Sequence, residues 1–454
     1  MSQELFQIGI ARRVIGPPSR VELAGLGYYL GRKAERVRDN LNVTALVIGD
    51  NEKTVAIVGV DLMYNDAAFT RKIRELATAK TDLQSGAICV NFSHSHNAPT
   101  AGLIIGAGER DWKYLDAAAE AAAAAVGQAW RDRRPARLYF GTSELPGMTF
   151  NRTRENGPVD TTVSVLRADS AEARPLAVAV NFHSHCTAHM EIDLHAVGRD
   201  WPGELADQIE AALPGCTAMY LQGTCGDVNF RREFNGTEKR FEPARALTKV
   251  VFEALNHARP VPARGVAVVS NQISLPTRRW TRDEVMRDRE EGLHRLKTGD
   301  TAGWLNGVAR VCVNLPERLP LRYGGSVEKA VQAVSRFAVE WTDLILPELD
   351  TRPEHLETEV QAMRIGDVYL AANASELFTS LGLAVRQECP HKDLLMLSYS
   401  NGSIGYLPDA YDIARKSYAS IQSAKFTGQF PFIDASGTEM VRSLASALEQ
   451  VTKA

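Results

Sequence analysis

The sequence predicts an α/β fold of mixed sheets flanked by helices, and three observations predict it. Apolar, β-branched runs such as Val43–Gly49, Thr54–Val60, Ala87–Phe92 and Leu176–Phe182 alternate with segments of helical spacing. Two hairpins, at 43–60 around Asp50-Asn51 and at 360–372 around Gly366-Asp367, break any regular βα barrel pattern. Several strands end in polar clusters, the position where open α/β sheets bind ligands.

The 454 residues, 44% apolar, suffice for one large core, and neither an internal repeat nor a low-complexity linker divides them. A single domain over 1–454 is therefore expected. Lys plus Arg number 52 against 55 Asp plus Glu, for a net charge of -3, which argues against nucleic acid as the main partner. The N-terminus has neither a basic n-region nor an apolar h-region, and no apolar run reaches transmembrane length. The expectation is a cytoplasmic protein with a small-molecule substrate and no membrane insertion; a homo-oligomer is compatible with the sequence. Six cysteines (Cys89, Cys186, Cys216, Cys225, Cys312 and Cys389) lack C-x-x-C spacing and read as buried apolar residues.

In chain order, Ile8–Ala11 and the 43–60 hairpin open the sheet. Asp61 ends that hairpin as a turn or helix-capping residue, or as a group near the site. Gly25-Leu-Gly27 and Gly31 form a glycine-rich loop without phosphate-binding spacing. A helix over 67–77 precedes strand 87–92, and an alanine-rich helix covers 112–131. Strand 137–141 leads to Arg152 and Arg154, which read equally as a solvated turn or an anion clamp. Strands 162–168 and 176–182 follow. Asp200-Trp-Pro202 then opens a helix to 213, with Asp200 as N-cap, before strand 219–222. Residues 276–358 differ in character, with a capping box at Thr281–Glu284, a charged helix to 297 and a second helix over 326–346. That stretch is expected to be a helical insertion or lid. Strands 360–365, 368–372 and 394–398 close the pattern.

Six of the ten histidines crowd two short windows, Asn91-Phe-Ser-His94-Ser-His96 and Asn181-Phe-His183-Ser-His185-Cys-Thr-Ala-His189 with His195 beyond. Residues i and i+2 of a strand share a face, so each H-S-H triplet reads as a pair of imidazoles pointing one way from a strand end, which suits a metal. Gly223-Thr-Cys225-Gly-Asp227-Val-Asn229 follows another strand and is expected to form a third wall of the same site.

Blocks spread over most of the chain carry a resemblance. Ser93-His94-Ser-His96-Asn-Ala-Pro99, Phe182–Ala188, Gly226-Asp227-Val228, Ser375-Glu376-Leu-Phe-Thr and Ser400-Asn401 with Tyr406 follow in the order found in the catalytic domain of the neutral ceramidases. These are zinc-dependent amidases that cleave the N-acyl bond of ceramide. The resemblance implies one zinc ion per chain held by His94, His185, Glu376 and Tyr406, with His96 and Arg152 facing the substrate carbonyl and its tetrahedral intermediate. Asn229 stands where the family has a serine proposed as nucleophile, and an amide cannot form an acyl-enzyme. Asn229 and Asp227 are therefore grouped with His96 and Arg152 as catalytic, and His183, Arg154 and Cys225 as substrate-binding. Cys186 replaces a family proline, and 48 residues follow Tyr406, so the family's immunoglobulin-like domain is expected to be absent.

The function expected is zinc-dependent hydrolysis of an amide or related bond of a small soluble substrate by activated water. Alternatives are the same zinc site acting on a lactone, a glycoside or a cyclic C–N bond, and a non-catalytic metabolite-binding protein of the same fold.

Overall fold

The computed structural model describes residues 5–16, 20–190, 192–311 and 316–454. Cys312 lies outside them; the other five cysteines are free thiols in buried positions. The chain repeats one topology three times. Phe6–Val14, Asn42–Gly49 and Thr54–Val60 pair antiparallel in sequence order. The helix Ala67–Thr78 then crosses over, so that Ile88–Phe92 lies parallel to Thr54–Val60. The helix Trp112–Arg131 packs back on the first two strands.

The second unit reuses the plan with Arg134–Glu144, Thr162–Ser170 and Pro175–Phe182, the crossover helix Asp200–Ala212, the parallel strand Thr217–Gln222 and the covering helix Glu242–Asn256. The third uses Ala267–Pro276, His355–Ile365 and Val368–Asn373, then Thr379–Glu388, Leu394–Leu397 and Asp434–Lys453. The first two units merge into a nine-stranded sheet through Phe6–Ile8 against Arg134–Ala136, and the third has a four-stranded sheet of its own. The expectation of no repeat is corrected here: the repeat lies in topology, because a buried strand needs only apolar residues and leaves no fixed residue pattern behind.

Buried asparagines near strand ends join the units. Asn91 Nδ2 donates to Gln222 O (3.2 Å) and Ser398 O (2.7 Å), while its Oδ1 accepts Gln222 N–H (2.7 Å). Asn181 Nδ2 donates to Leu221 O and Met396 O, both at 3.0 Å. Strands from opposite ends of the large sheet thus meet at Asn91 beside the third unit. Each bond contributes about 1 kcal/mol, and more would be lost if its buried partner were stranded.

Local signals worked where the cap is a side chain. Thr281 and Glu284 form the expected capping box on the helix Arg282–Thr298. Asp66, not Asp61, caps the helix Ala67–Thr78, and Asp61 instead accepts Asn42 N–H at 2.9 Å. Asp200 begins its helix in the left-handed region (φ 56°), and its carboxylate accepts N–H groups from Ala188, His189 and Trp201. The N-cap is Arg199, without a side-chain cap bond, so Asp200 is not the cap the sequence suggested; as the first helical residue it ties the second histidine loop to the helix. The helices Arg282–Thr298 and Val327–Ile345 pack together and share an apolar cluster with Tyr28, Phe426 and Phe430.

Candidate metal centre

Strand Ile88–Phe92 ends before its histidines. His94 turns into the left-handed region (φ 62°) and donates its N–H to Leu62 O at 3.0 Å. Strand alternation is thus not what aligns His94 with His96, a correction to the i, i+2 argument. The Ser95–Cys186 bridge lays the second histidine loop alongside the first. Glu376 arrives separately, on a two-residue strand paired in register with Tyr406.

His94 Nδ1 lies 2.9 Å from Met63 O, His96 Nδ1 2.8 Å from Gly25 O and His185 Nδ1 3.1 Å from Val228 O. A carbonyl only accepts, so each Nδ1 carries the proton and each Nε2 presents a lone pair. Burial pushes all three rings far below the ordinary histidine pKa; Arg152 adds to this at His185, and His94 and His96 feel neighbouring imidazoles. All three are therefore neutral at pH 7.

His94 Nε2 and His96 Nε2 stand 3.2 Å apart, and the three histidines bring ring nitrogens within 4.8 Å of one another. Glu376 Oε2 lies 3.6 Å from His94 Nε2 and 3.5 Å from His185 Nε2. Lone pairs at that separation repel unless a cation lies between them. Donors at about 2.0–2.1 Å from a tetrahedral zinc ion stand about 3.3 Å apart, so the donor set fits that ion in chemistry and spacing.

Arg152 closes one side. Its Nη2 donates to Gly226 O (2.9 Å) and Tyr406 Oη (2.7 Å) and lies 3.4 Å from His185 Nε2. The structure thus brings together His94, His96, His185, Glu376, Arg152 and Tyr406, six residues named from sequence.

No protein-family model matches the sequence, and no curated protein matches it. Solved structures do. The neutral ceramidase from Pseudomonas aeruginosa aligns over 100% of this chain and 75% of its own, with a TM-score of 0.73 at 15% identity. A ceramidase complexed with C2 aligns over 99% of this chain and 76% of its own, with a TM-score of 0.70 at 15% identity. The chain has the neutral ceramidase fold. Its mixed sheets and flanking helices are those the resemblance implied, and they form no regular βα barrel. Among the described residues no helix is long and apolar enough to cross a membrane.

Within this ceramidase-like fold, other residues named from sequence stand outside the histidine cluster. His183 faces away: Nδ1 accepts Thr224 N–H at 3.0 Å and Nε2 lies 3.4 Å from Asp160 and 3.3 Å from Arg386. The second H-S-H triplet thus sends its two rings in different directions. Asp227 is a brace. Its Oδ1 accepts the N–H and hydroxyl of Thr379, both at 2.8 Å, and Oδ2 accepts Asn151 Nδ2 at 2.6 Å. Burial raises the Cys225 thiol well above its usual pKa, and Sγ contacts Tyr399 Oη and Gln222 Nε2 at 3.3 and 3.2 Å. A thiol so held is no nucleophile at neutral pH. Asn229 follows Val228, the carbonyl partner of His185, and its buried Oδ1 has no partner among the described residues. Arg154 lies over the Tyr411 ring at 4.7 Å.

Two contributors went unassigned in the sequence. Tyr399, in the left-handed region, lays its ring 4.0 Å from that of His94 and its hydroxyl 3.4 Å from Glu376 Oε2. Gly25, at φ 113°, approaches His96 so closely that a Cβ would lie 2.7 Å from the histidine Cβ. The glycine-rich loop was the available signal for the second; it holds an imidazole, not a phosphate.

Proposed function

We propose that this chain is a zinc-dependent hydrolase of an amide, or related acyl bond, in a small soluble substrate. The observation that carries the reading is the Glu376 carboxylate oxygen Oε2, 3.6 Å from His94 Nε2 and 3.5 Å from His185 Nε2, with the Nδ1 protons of both imidazoles committed to carbonyls. His94, His185 and Glu376 would hold the ion, with Tyr406 as a weak fourth donor. A zinc ion there supplies polarisation of a carbonyl and a water whose pKa falls from about 15.7 towards 7.

The chain's own groups do the rest. His96 Nε2, neutral and without a backbone bond, takes a proton and returns it to the leaving nitrogen. The Arg152 guanidinium, fixed by Gly226 O and Tyr406 Oη, stabilises negative charge developing on the carbonyl oxygen, and the Asn229 amide assists. Asp227 holds Thr379 and Asn151 in place around them. Because Asn229 replaces the serine of the resemblance, attack by water replaces an acyl-enzyme route. The 276–358 region is proposed as a wall or lid of the entrance. Its Glu340 accepts the hydroxyl of Tyr28 at 3.0 Å, on the loop whose Gly25 carbonyl orients His96.

The test is zinc per chain by plasma mass spectrometry, for wild type beside His185→Ala, followed by a screen of N-acyl compounds. About one zinc in the wild type, a marked loss in the variant and turnover of an N-acyl compound are expected. No transition metal in either sample would end the reading.

A further inference from the structure

Beside the centre, a groove of about 450 Å³ is lined by Phe150, Arg152, Arg154, Arg231, Arg232 and two glutamates, Glu155 and Glu233. Arg152 lines the groove and also reaches His185 and Tyr406 of the centre. Of the four arginines, Arg231 has a carboxylate nearby, Glu233 at 3.6 Å. Arg152, Arg154 and Arg232 have no ion pair among the described residues. Each lies over an aromatic ring instead: Arg152 5.5 Å from Tyr406, Arg154 4.7 Å from Tyr411 and Arg232 5.8 Å from Phe150.

Some buried and half-buried guanidiniums of this chain pair with acids, as Arg74 does with Glu359 and Arg386 with Asp160, and others, such as Arg32, donate to carbonyls. Four arginines against two glutamates leave the groove net positive, and aromatic stacking orients Arg154 and Arg232 in advance, so less entropy is lost when they bind. Guanidiniums so disposed select carboxylate or phosphate oxygens.

We propose that the substrate carries an anionic group, a carboxylate or phosphate ester, which binds between Arg154 and Arg232 while the scissile bond lies at the histidine centre. This rests on the hydrolase reading and narrows it to anionic amides such as N-acyl amino acids or N-acyl phosphoamines. Ligand ordering runs from the groove inward: anion at Arg154 and Arg232, carbonyl at Arg152.

The experiment is isothermal titration of the full chain, zinc-loaded and again after chelation. The ligands share one acyl chain: N-octanoylglycine, N-octanoyl-O-phosphoethanolamine and the neutral N-octanoylethanolamine. At least one anion is expected to bind about tenfold more tightly than the neutral compound in both metal states, and the better anion identifies carboxylate or phosphate. In Arg154→Gln/Arg232→Gln that preference should fall at least about fivefold; Arg232→Gln alone serves if the double variant melts early by circular dichroism.

Equal affinities, or no binding of any ligand, would overturn the proposal. So would a preference that survives in the variants, or one that vanishes on chelation and so belongs to the ion. Anion preference without turnover by the zinc-loaded protein would leave the groove standing and remove the amidase reading. Turnover of all three compounds with equal affinity would do the reverse.

Discussion

The Glu376 carboxylate oxygen Oε2 stands 3.5 Å from His185 Nε2 and 3.6 Å from His94 Nε2, nearly equidistant from two imidazoles that arrive on different units of the fold. His96 also reaches His94, at 3.2 Å. Two donor sets therefore share His94 and His185, and they differ in whether glutamate or His96 completes them. With Glu376 as ligand, Glu376→Gln should weaken zinc at least about tenfold, because an amide is a poor substitute for a carboxylate. His96→Ala should keep about one zinc per chain and lose about 100-fold or more in turnover. Metal analysis beside N-acyl turnover reads both, and the opposite pattern would make His96 the ligand.

Asn229 offers a narrower test. Its Oδ1 is buried without a partner among the described residues, next to the residue that orients His185. Asn229→Ala is expected to lower kcat by about 10- to 100-fold with zinc retained, the size of loss that follows removal of one oxyanion donor or somewhat less. Unchanged kcat would remove Asn229 from the mechanism.

Asp227 should act through stability. In Asp227→Asn the side chain keeps one acceptor for Thr379 but turns an N–H donor towards the Asn151 Nδ2 donor, now 2.6 Å from Asp227 Oδ2. A buried donor facing a donor costs about 2 kcal/mol. Urea unfolding should show that loss at neutral pH, and an unchanged midpoint would contradict the brace.

Glu284 supplies a pH-dependent prediction away from the centre. Partial burial opposes its charge, but the Arg278 guanidinium and the Thr281 cap hold its carboxyl at about 2, below the ordinary 4.5. A depressed folded-state pKa gives stability that is complete above the unfolded value and is lost as pH falls from about 4.5 to about 2. Glu284→Gln should therefore be less stable than wild type at pH 7, by about 1 kcal/mol after solvent screening. The two should converge near pH 2 in a urea titration; a gap independent of pH would refute the assignment.

Much of this was legible in the residues. The helix Trp112–Arg131 and the 43–60 hairpin have strong periods and clear stops, so local physics fixes them. The site blocks gave His94, His96, His185, Glu376, Arg152 and Tyr406, which the fold brings together. The same H-S-H triplet, however, converges at His94 and His96 and diverges at His183 and His185. The cause is the left-handed turn at His94, whose residue type does not announce it. Tyr399 was hidden for a similar reason: it reaches His94 because the third unit folds against the first. The triple repeat was hidden because its three copies share only apolar strands and a crossover.

That repeat bears on when the protein can first act. His94 and His96 come from the first unit, Arg152 and His185 from the second, and Glu376 and Tyr406 from the third. A ribosome releases the histidines long before the glutamate, and a partly made chain holds an incomplete donor set whatever its first unit has folded into. The complete set of groups thus waits for the third unit, whose strands meet Asn91 and Asn181.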